Sequence, residues 1–149
     1  MKRILSIALF LIGIIFSLFA DGYAASIKEE YELQDRCGKR VEERFKKEYG
    51  NGIVSNKDGT MMVNYTNHYN RKLNKCFVLV AGMSIPKDKE TKDKQGFSTD
   101  KTLWDINENK QYGGFFKFSE GGLMQCEVLG KHCNSESEWD ALVKPYMEE

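Results

Sequence analysis

The chain has 149 residues, of which 41% are apolar and 12% aromatic, and its 22 Lys and Arg residues balance its 22 Asp and Glu residues. This composition predicts one globular domain and excludes wholesale disorder, which requires few aromatic residues and a large net charge. A balanced charge also lacks the basic footprint of nucleic-acid-binding proteins, so we expect no nucleic-acid partner.

The first 24 residues have the pattern of a secretory signal peptide. Lys2 and Arg3 precede an apolar run over residues 4–20, and a small-x-small cleavage site ends at Ala24. We therefore expect cleavage there, which leaves residues 25–149 as a single exported α+β domain. The alternative is an uncleaved anchor, because the run is close to the shortest length that spans a bilayer. In that case this segment is the only expected membrane contact.

Export determines how the four cysteines are interpreted. They are Cys37, Cys76, Cys126 and Cys133, an even number in an oxidising compartment, which favours two disulfides and a periplasmic or secreted protein. Three pairings are possible. We favour Cys126 with Cys133, which closes a short local loop, and Cys37 with Cys76, which ties an N-terminal helix to a sheet.

Residues 26–49 are predicted to form an amphipathic helix. Ser26 and Glu29 form a capping box at its start, and Gly50 stands where a C-terminal cap belongs. The apolar residues recur at helical spacing between charged positions: Ile27, Tyr31, Cys37, Val41, Phe45 and Tyr49. Because Cys37 lies on this apolar stripe, we expect it to face the layer on which the helix packs.

Several strand patterns follow the helix. Residues 61–70 alternate between apolar and polar positions, which predicts a half-buried strand, and residues 76–83 are almost continuously apolar, which predicts a central strand. The charged stretch at residues 84–101 predicts a long solvated loop, either a simple connector, which we favour, or a contact loop. Strand patterns then resume in residues 102–107, 111–118 and 123–128.

A second capping box, Ser135 with Glu138, opens a short helix that Pro145 ends or kinks. The element order predicts an α+β fold with the N-terminal amphipathic helix packed on a four- to five-stranded antiparallel sheet, a short C-terminal helix and two disulfides. A long N-terminal helix followed by an antiparallel meander resembles the cystatin-like arrangement in outline. A resemblance in element order carries no function.

The first predicted strand ends in a cluster of amide, imidazole and phenol side chains: Asn64, Tyr65, Asn67, His68, Tyr69 and Asn70. Tyrosine supplies contact area with a polar tip, so such a cluster is suited to binding a protein, peptide or glycan partner in the cell envelope. In the alternative interpretation, the tyrosines pack inward while the polar residues occupy an exposed sheet face and a turn.

The patterns for metal binding are incomplete. His132 adjoins Cys133, which matches no zinc-finger spacing. Asp105 opens a calcium-loop pattern, but Lys110 stands where glycine is needed and Phe116 where a bidentate glutamate is needed. We therefore expect no metal and no cofactor.

Motifs for catalysis are also missing from the sequence. It contains no Gly-x-Ser-x-Gly elbow, no His-Glu-x-x-His and no Gly-rich phosphate loop. This favours a non-catalytic protein, and we expect a small, exported, disulfide-stabilised binding or inhibitor module of the bacterial cell envelope. The alternatives are an envelope hydrolase and a structural envelope component.

Overall fold

A computed structural model describes residues 27–88, 90, 93 and 96–148. The predicted signal peptide at residues 1–24 lies outside these residues. The chain divides into two compact units, the first ending at Asp35 and the second beginning at Arg36. The described residues of the first unit are helical and mostly exposed. Within the described part of the chain, no helix is both long enough and apolar enough to cross a membrane.

The predicted N-terminal helix, α1, spans residues 27–49, and its second-unit part begins at Arg36. Cys37 and Val41 are buried and lie one helical turn apart, as the apolar stripe predicts. Gly50 follows with a φ of +62°, and its backbone N–H donates to the Lys46 carbonyl oxygen at 3.0 Å. Glycine accepts this left-handed conformation readily, so Gly50 ends the helix as expected.

In the described part of the chain, seven antiparallel strands form one sheet and pair in chain order. The elements are β1 Ile53–Ser55, β2 Gly59–Asn70, β3 Lys75–Pro86, β4 Ser98–Asp105, β5 Lys110–Phe118, β6 Gly122–Val128, β7 Lys131–His132 and the C-terminal helix α2 Glu136–Met147. The α+β class is confirmed, but the expected number of strands, four to five, is wrong. Strands β1 and β7 have three and two residues, too few for an alternating pattern to be recognised.

The predicted loop at residues 84–101 is also too long. Strand β3 continues to Pro86 and β4 begins at Ser98, with Ser84 opposite Ser98 in the register. Cross-strand pairing provides hydrogen-bond partners for the backbone groups of these residues, so their polar side chains do not prevent them from forming strands. Strand β4 ends at Asp105, and residues 106–109 form a turn.

Both disulfides have the pairing that we favoured. The Cys37–Cys76 bond joins α1 to β3 with a Cα–Cα distance of 5.4 Å, and the Cys126–Cys133 bond joins β6 to the chain after β7 with a distance of 5.0 Å. Two disulfides indicate a non-reducing environment, such as that of a secreted or periplasmic protein.

A helix covers part of each sheet face. On the face that we call the α1 face, Val41 packs with Val78 and the Cys37–Cys76 bond. On the opposite face, which we call the α2 face, the buried ring of Trp139 packs against Phe115 in a second cluster of buried residues. The core of the second unit therefore has two layers separated by the sheet.

Helix α2 begins at the predicted N-cap residue, Ser135. The Ser135 hydroxyl accepts from the Glu138 N–H at 3.2 Å, and the Glu138 carboxylate accepts from the Asn134 N–H at 2.8 Å. Lys101 on β4 then holds the first turns, with its Nζ atom 2.9 Å from Glu136 Oε1 and 3.0 Å from Asp140 Oδ1. These contacts seat α2 on its sheet face.

Candidate functional site

Three of the six predicted binding residues lie on the α1 face of β2. The ring of Tyr65 packs against that of Phe45, with their centroids 4.5 Å apart. Asn67 lies beside Gly38 of the helix, and the Tyr69 hydroxyl donates to Asn74 Oδ1 at 2.6 Å. The tyrosines therefore pack inward, as in the alternative interpretation.

The other three residues alternate onto the α2 face. Asn70 is buried, and its side-chain amide donates to the Pro145 carbonyl oxygen at 3.0 Å. His68 is half-buried opposite Phe77 in the register, and Asn64 is exposed and accepts from the Tyr65 backbone N–H at 2.7 Å. Because the six residues are divided between opposite faces, one ligand cannot contact all of them.

Asp105, the first residue of the incomplete calcium-loop pattern, stabilises a turn. Its buried carboxylate accepts from the backbone N–H groups of Asn107 and Glu108 at 2.9 and 3.3 Å. Lys75 Nζ lies 2.5 Å from Asp105 Oδ2 and 2.6 Å from Glu108 Oε1. These hydrogen bonds raise the pKa of the Lys75 ammonium. The hairpin turn therefore accounts for this carboxylate.

A cavity of about 300 Å³ lies at one end of the sheet, beyond the part of the α1 face that the helix covers. None of the residues lining it belongs to α1. Its floor includes Met61, Ser84, Ser98 and Phe118, which are cross-strand neighbours on β2, β3, β4 and β5. Hydrogen-bonded strands hold these positions, so much of the wall is built on a paired framework.

Asp100 lies in the next cross-strand row, where it is opposite Gly82 on β3. A Cβ atom at position 82 would lie 2.6 Å from Asp100 Oδ1 and 2.9 Å from Met61 Cε. The missing side chain at Gly82 therefore provides the space in which the carboxylate lies beside a cavity wall. We call the 300 Å³ cavity, together with Asp100 and Gly82, the Asp100 trough.

The environment of Asp100 disfavours its ionised form. Burial raises the pKa of the carboxyl group, and the hydrogen bond from its own backbone N–H opposes this shift only partly. Among the residues that the structure describes, no basic side chain forms an ion pair with Asp100. A half-buried carboxylate without a cationic partner has capacity for a further hydrogen-bond donor.

A smaller cavity of about 60 Å³ lies between α1 and the sheet and is lined in part by Tyr49 and Trp104. At this cavity the Arg44 guanidinium carbon lies 5.1 Å from the centroid of the Trp104 ring, and its Nε atom donates to Glu48 at 2.9 Å. Burial raises the pKa of the Tyr49 phenol, and the negative charges of Glu48 and Asp100 add to this effect. The Tyr49 phenol, which lines the smaller cavity, is therefore within electrostatic range of Asp100.

Asp100 is not among the predicted site residues, because it stands in a charged stretch that predicts a loop. One local signal was available, since Gly82 interrupts an apolar strand, and a glycine inside a strand marks a bulge or a close approach. That signal does not identify which residue approaches. Within the described residues, no group of three or more His, Cys, Asp or Glu side chains is arranged to hold a metal ion.

A scan of protein-family models, a search of curated proteins and a search of solved structures found no significant match to this chain. Its function is therefore inferred from the geometry of the trough and from the chemistry of the residues that form it.

Proposed function

We propose that this protein is an exported, non-catalytic binding module of the bacterial cell envelope whose ligand lies in the Asp100 trough. One observation carries the proposal: an open cavity of about 300 Å³ adjoins a half-buried carboxylate that has no cationic partner among the described residues. Small-molecule and side-chain sites are concave and largely apolar and contain a few polar groups that orient the ligand. The trough has this composition.

The energetic cost of Asp100 supports a functional role. Burying a carboxylate without a partner destabilises a fold, because the charge loses hydration that nothing replaces. Perturbed titratable groups beside a cavity are therefore candidates for functional residues. A neutral or apolar residue at position 100 would avoid this cost, so we interpret the carboxylate as a ligand-binding group.

The compartment is inferred from two independent features. The segment ending at Ala24 has the signal-peptide pattern, and both disulfides require an environment that does not reduce them. Together they support an exported protein that meets its ligand in the periplasm or outside the cell. The Cys37–Cys76 disulfide also ties β3, which contributes residues to the cavity lining, to α1.

The test fills the cavity and compares two substitutions on one strand. Ser84→Phe places a ring in the cavity, whereas Met83→Phe places the same ring on the opposite sheet face, where Met83 is already exposed. Each protein is expressed with its own leader in its host, recovered from the exported fraction and weighed by native mass spectrometry. Denaturation then releases any bound species for identification by mass.

We expect wild type and Met83→Phe to carry the same bound species and Ser84→Phe to lack it, with circular dichroism unchanged in all three. Retention of the species by Ser84→Phe would place the binding site elsewhere. The bare mature mass in wild type, under conditions that preserve weak complexes, would contradict a stable binding function.

A further inference from the structure

The trough has a one-sided charge. Asp58 contributes a carboxylate among the residues that line the cavity, and the Asp100 carboxylate lies in the next cross-strand row, beside the lining residue Met61. None of the described lining residues of this cavity is basic. Lys87 follows β3 at this end of the sheet. Its ammonium group donates a hydrogen bond to the carbonyl oxygen of Asn56, at a distance of 2.6 Å. The formal charge carried by the described lining residues is therefore negative, which favours a positive group over an anionic one.

The walls beside these carboxylates are largely apolar. Met61 and Phe118 lie on the floor, and Val54, Ile85 and Pro86 complete the apolar part of the lining. An apolar ligand body that displaces water from these side chains gains about 25 cal/mol for each Å² that it buries. Ser84 and Ser98 add hydroxyl groups, which accept as well as donate hydrogen bonds.

From this combination we infer that the ligand is an organic cation, an ammonium or guanidinium group carried on an apolar body, and that Asp100 binds the charged group while the cavity holds the body. This inference rests on the proposed function and specifies its ligand class. Hydrogen bonds between a cation and a carboxylate are shorter and stronger than those between neutral groups. The Asp100 Oδ1 atom lies in the space above Gly82, beside the end of the Met61 side chain, which lines the cavity.

The probe pair for the test replaces a charged headgroup with a neutral polar one. Hexylammonium ion and 1-hexanol have the same alkyl chain, and each is titrated into the ¹⁵N-labelled exported protein while backbone amide resonances are recorded. A capped pentapeptide, Ala-Leu-Lys-Leu-Ala, and its norleucine counterpart repeat the comparison with the charge on a polypeptide side chain. Tighter binding of the lysine peptide than of hexylammonium identifies a basic side chain as the ligand, and the reverse order identifies a free amine.

The variant pair removes one negative charge from each sheet face. Asp100→Asn replaces the trough carboxylate, and Asp140→Asn on α2 is the matched control. The Asp140 side chain is exposed, and its partner Lys101 still forms an ion pair with Glu136 when Asp140 is replaced. We expect hexylammonium to shift the resonances of Gly82, Ser84 and Asp100. Asp100→Asn should weaken its binding about tenfold, the effect of losing one charge-assisted hydrogen bond. Asp140→Asn should bind as wild type does.

The outcomes separate this inference from the proposed function. If hexylammonium and 1-hexanol bind the trough equally well, and Asp100→Asn changes neither affinity, the cation inference is wrong while a binding role for the trough stands. If neither the amine nor the lysine peptide shifts trough resonances at millimolar concentration, the inference is also wrong. The mass-spectrometric comparison of Ser84→Phe with Met83→Phe then decides the proposed function on its own.

Discussion

The side-chain amide of Asn70 at the end of β2 donates a hydrogen bond to the carbonyl oxygen of Pro145 in α2, across a sequence separation of 75 residues. The same amide lies 3.4 Å from the Tyr146 carbonyl oxygen, and its Oδ1 atom accepts from the Leu73 N–H at 2.9 Å. Proline at position 145 cannot donate to the helical ladder, so the last turn of α2 has fewer internal hydrogen bonds. Asn70 thus ties this weakened turn to the β2–β3 hairpin.

Replacing Asn70 with alanine tests this structural role. We expect Asn70→Ala to lower the free energy of unfolding by about 2 kcal/mol, because buried backbone groups lose their partners. The control is Asn64→Ala on the same strand, where the side chain is exposed and the expected change is about 0.5 kcal/mol or less. Urea denaturation measures both. Equal effects of the two substitutions would contradict the anchoring role.

Removing the disulfides one at a time should give unequal losses of stability. The Cys37–Cys76 bond closes a sequence separation of 39 residues and the Cys126–Cys133 bond one of 7. In the loop-entropy model their removal costs about 4 and about 2.5 kcal/mol respectively. Double Cys→Ser variants of each pair, unfolded in guanidinium chloride, provide the comparison. A larger loss from the Cys126–Cys133 pair would show that the loop-entropy term does not dominate.

Gly82→Ala should change ligand binding more than stability. The new Cβ atom meets only the ends of the Asp100 and Met61 side chains, which can move, and alanine in a strand gains about 0.5 to 1 kcal/mol over glycine. We expect the free energy of unfolding to stay within about 1 kcal/mol of wild type, while hexylammonium binding weakens because the carboxylate is displaced.

The matched control for this substitution is Gly114→Ala on β5. Its added Cβ atom also meets flexible ends, those of Gln125 and Gln111, on the same sheet face but away from Asp100. It should bind hexylammonium as wild type does. If the two alanine variants weaken binding to the same degree, the space above Gly82 has no particular role in positioning Asp100.

Asp100→Asn should raise thermal stability at neutral pH. Burial raises the pKa of the folded-state carboxyl above its ordinary value of 3.8, so the folded protein binds a proton more readily than the unfolded chain. Stability therefore falls as pH increases through the interval between these two pKa values and stays lower above it. The asparagine variant has no charge to bury and escapes this loss.

Melting temperatures of wild type and Asp100→Asn, measured from pH 3 to pH 8, test this sign. The advantage of the variant should be present at pH 7 and vanish near pH 3, where the wild-type carboxyl is protonated in both states. Taking the difference between the two proteins cancels the titration of groups that do not interact with Asp100. The Tyr49 phenol does interact with it, but its pKa is raised above the ordinary value of 10.0, so it stays protonated over this pH range. A variant less stable than wild type at pH 7 would show that the carboxylate has a stabilising partner.

Local patterns in the sequence determined much of the fold. Helical spacing of residues such as Cys37 and Val41 predicted α1, and the Ser135 capping box predicted the start of α2, because both signals arise within a few residues of chain. The long strands were found through alternation or apolar runs. The disulfide pairing agreed with the expectation because one pair is close in sequence and the other joins the helix stripe to the central strand.

The tertiary structure decided the edges of the sheet and the site. Strands β1 and β7 are too short to show a pattern. The end of β3 forms a strand because it pairs with β2, and the charged start of β4 does so because it pairs with β3. Alternation along β2 divides Tyr65 and His68 between opposite faces, so nearness in sequence does not make one surface. Asp100 meets Gly82 through the β3–β4 register, a pairing between distant residues that their local patterns do not encode.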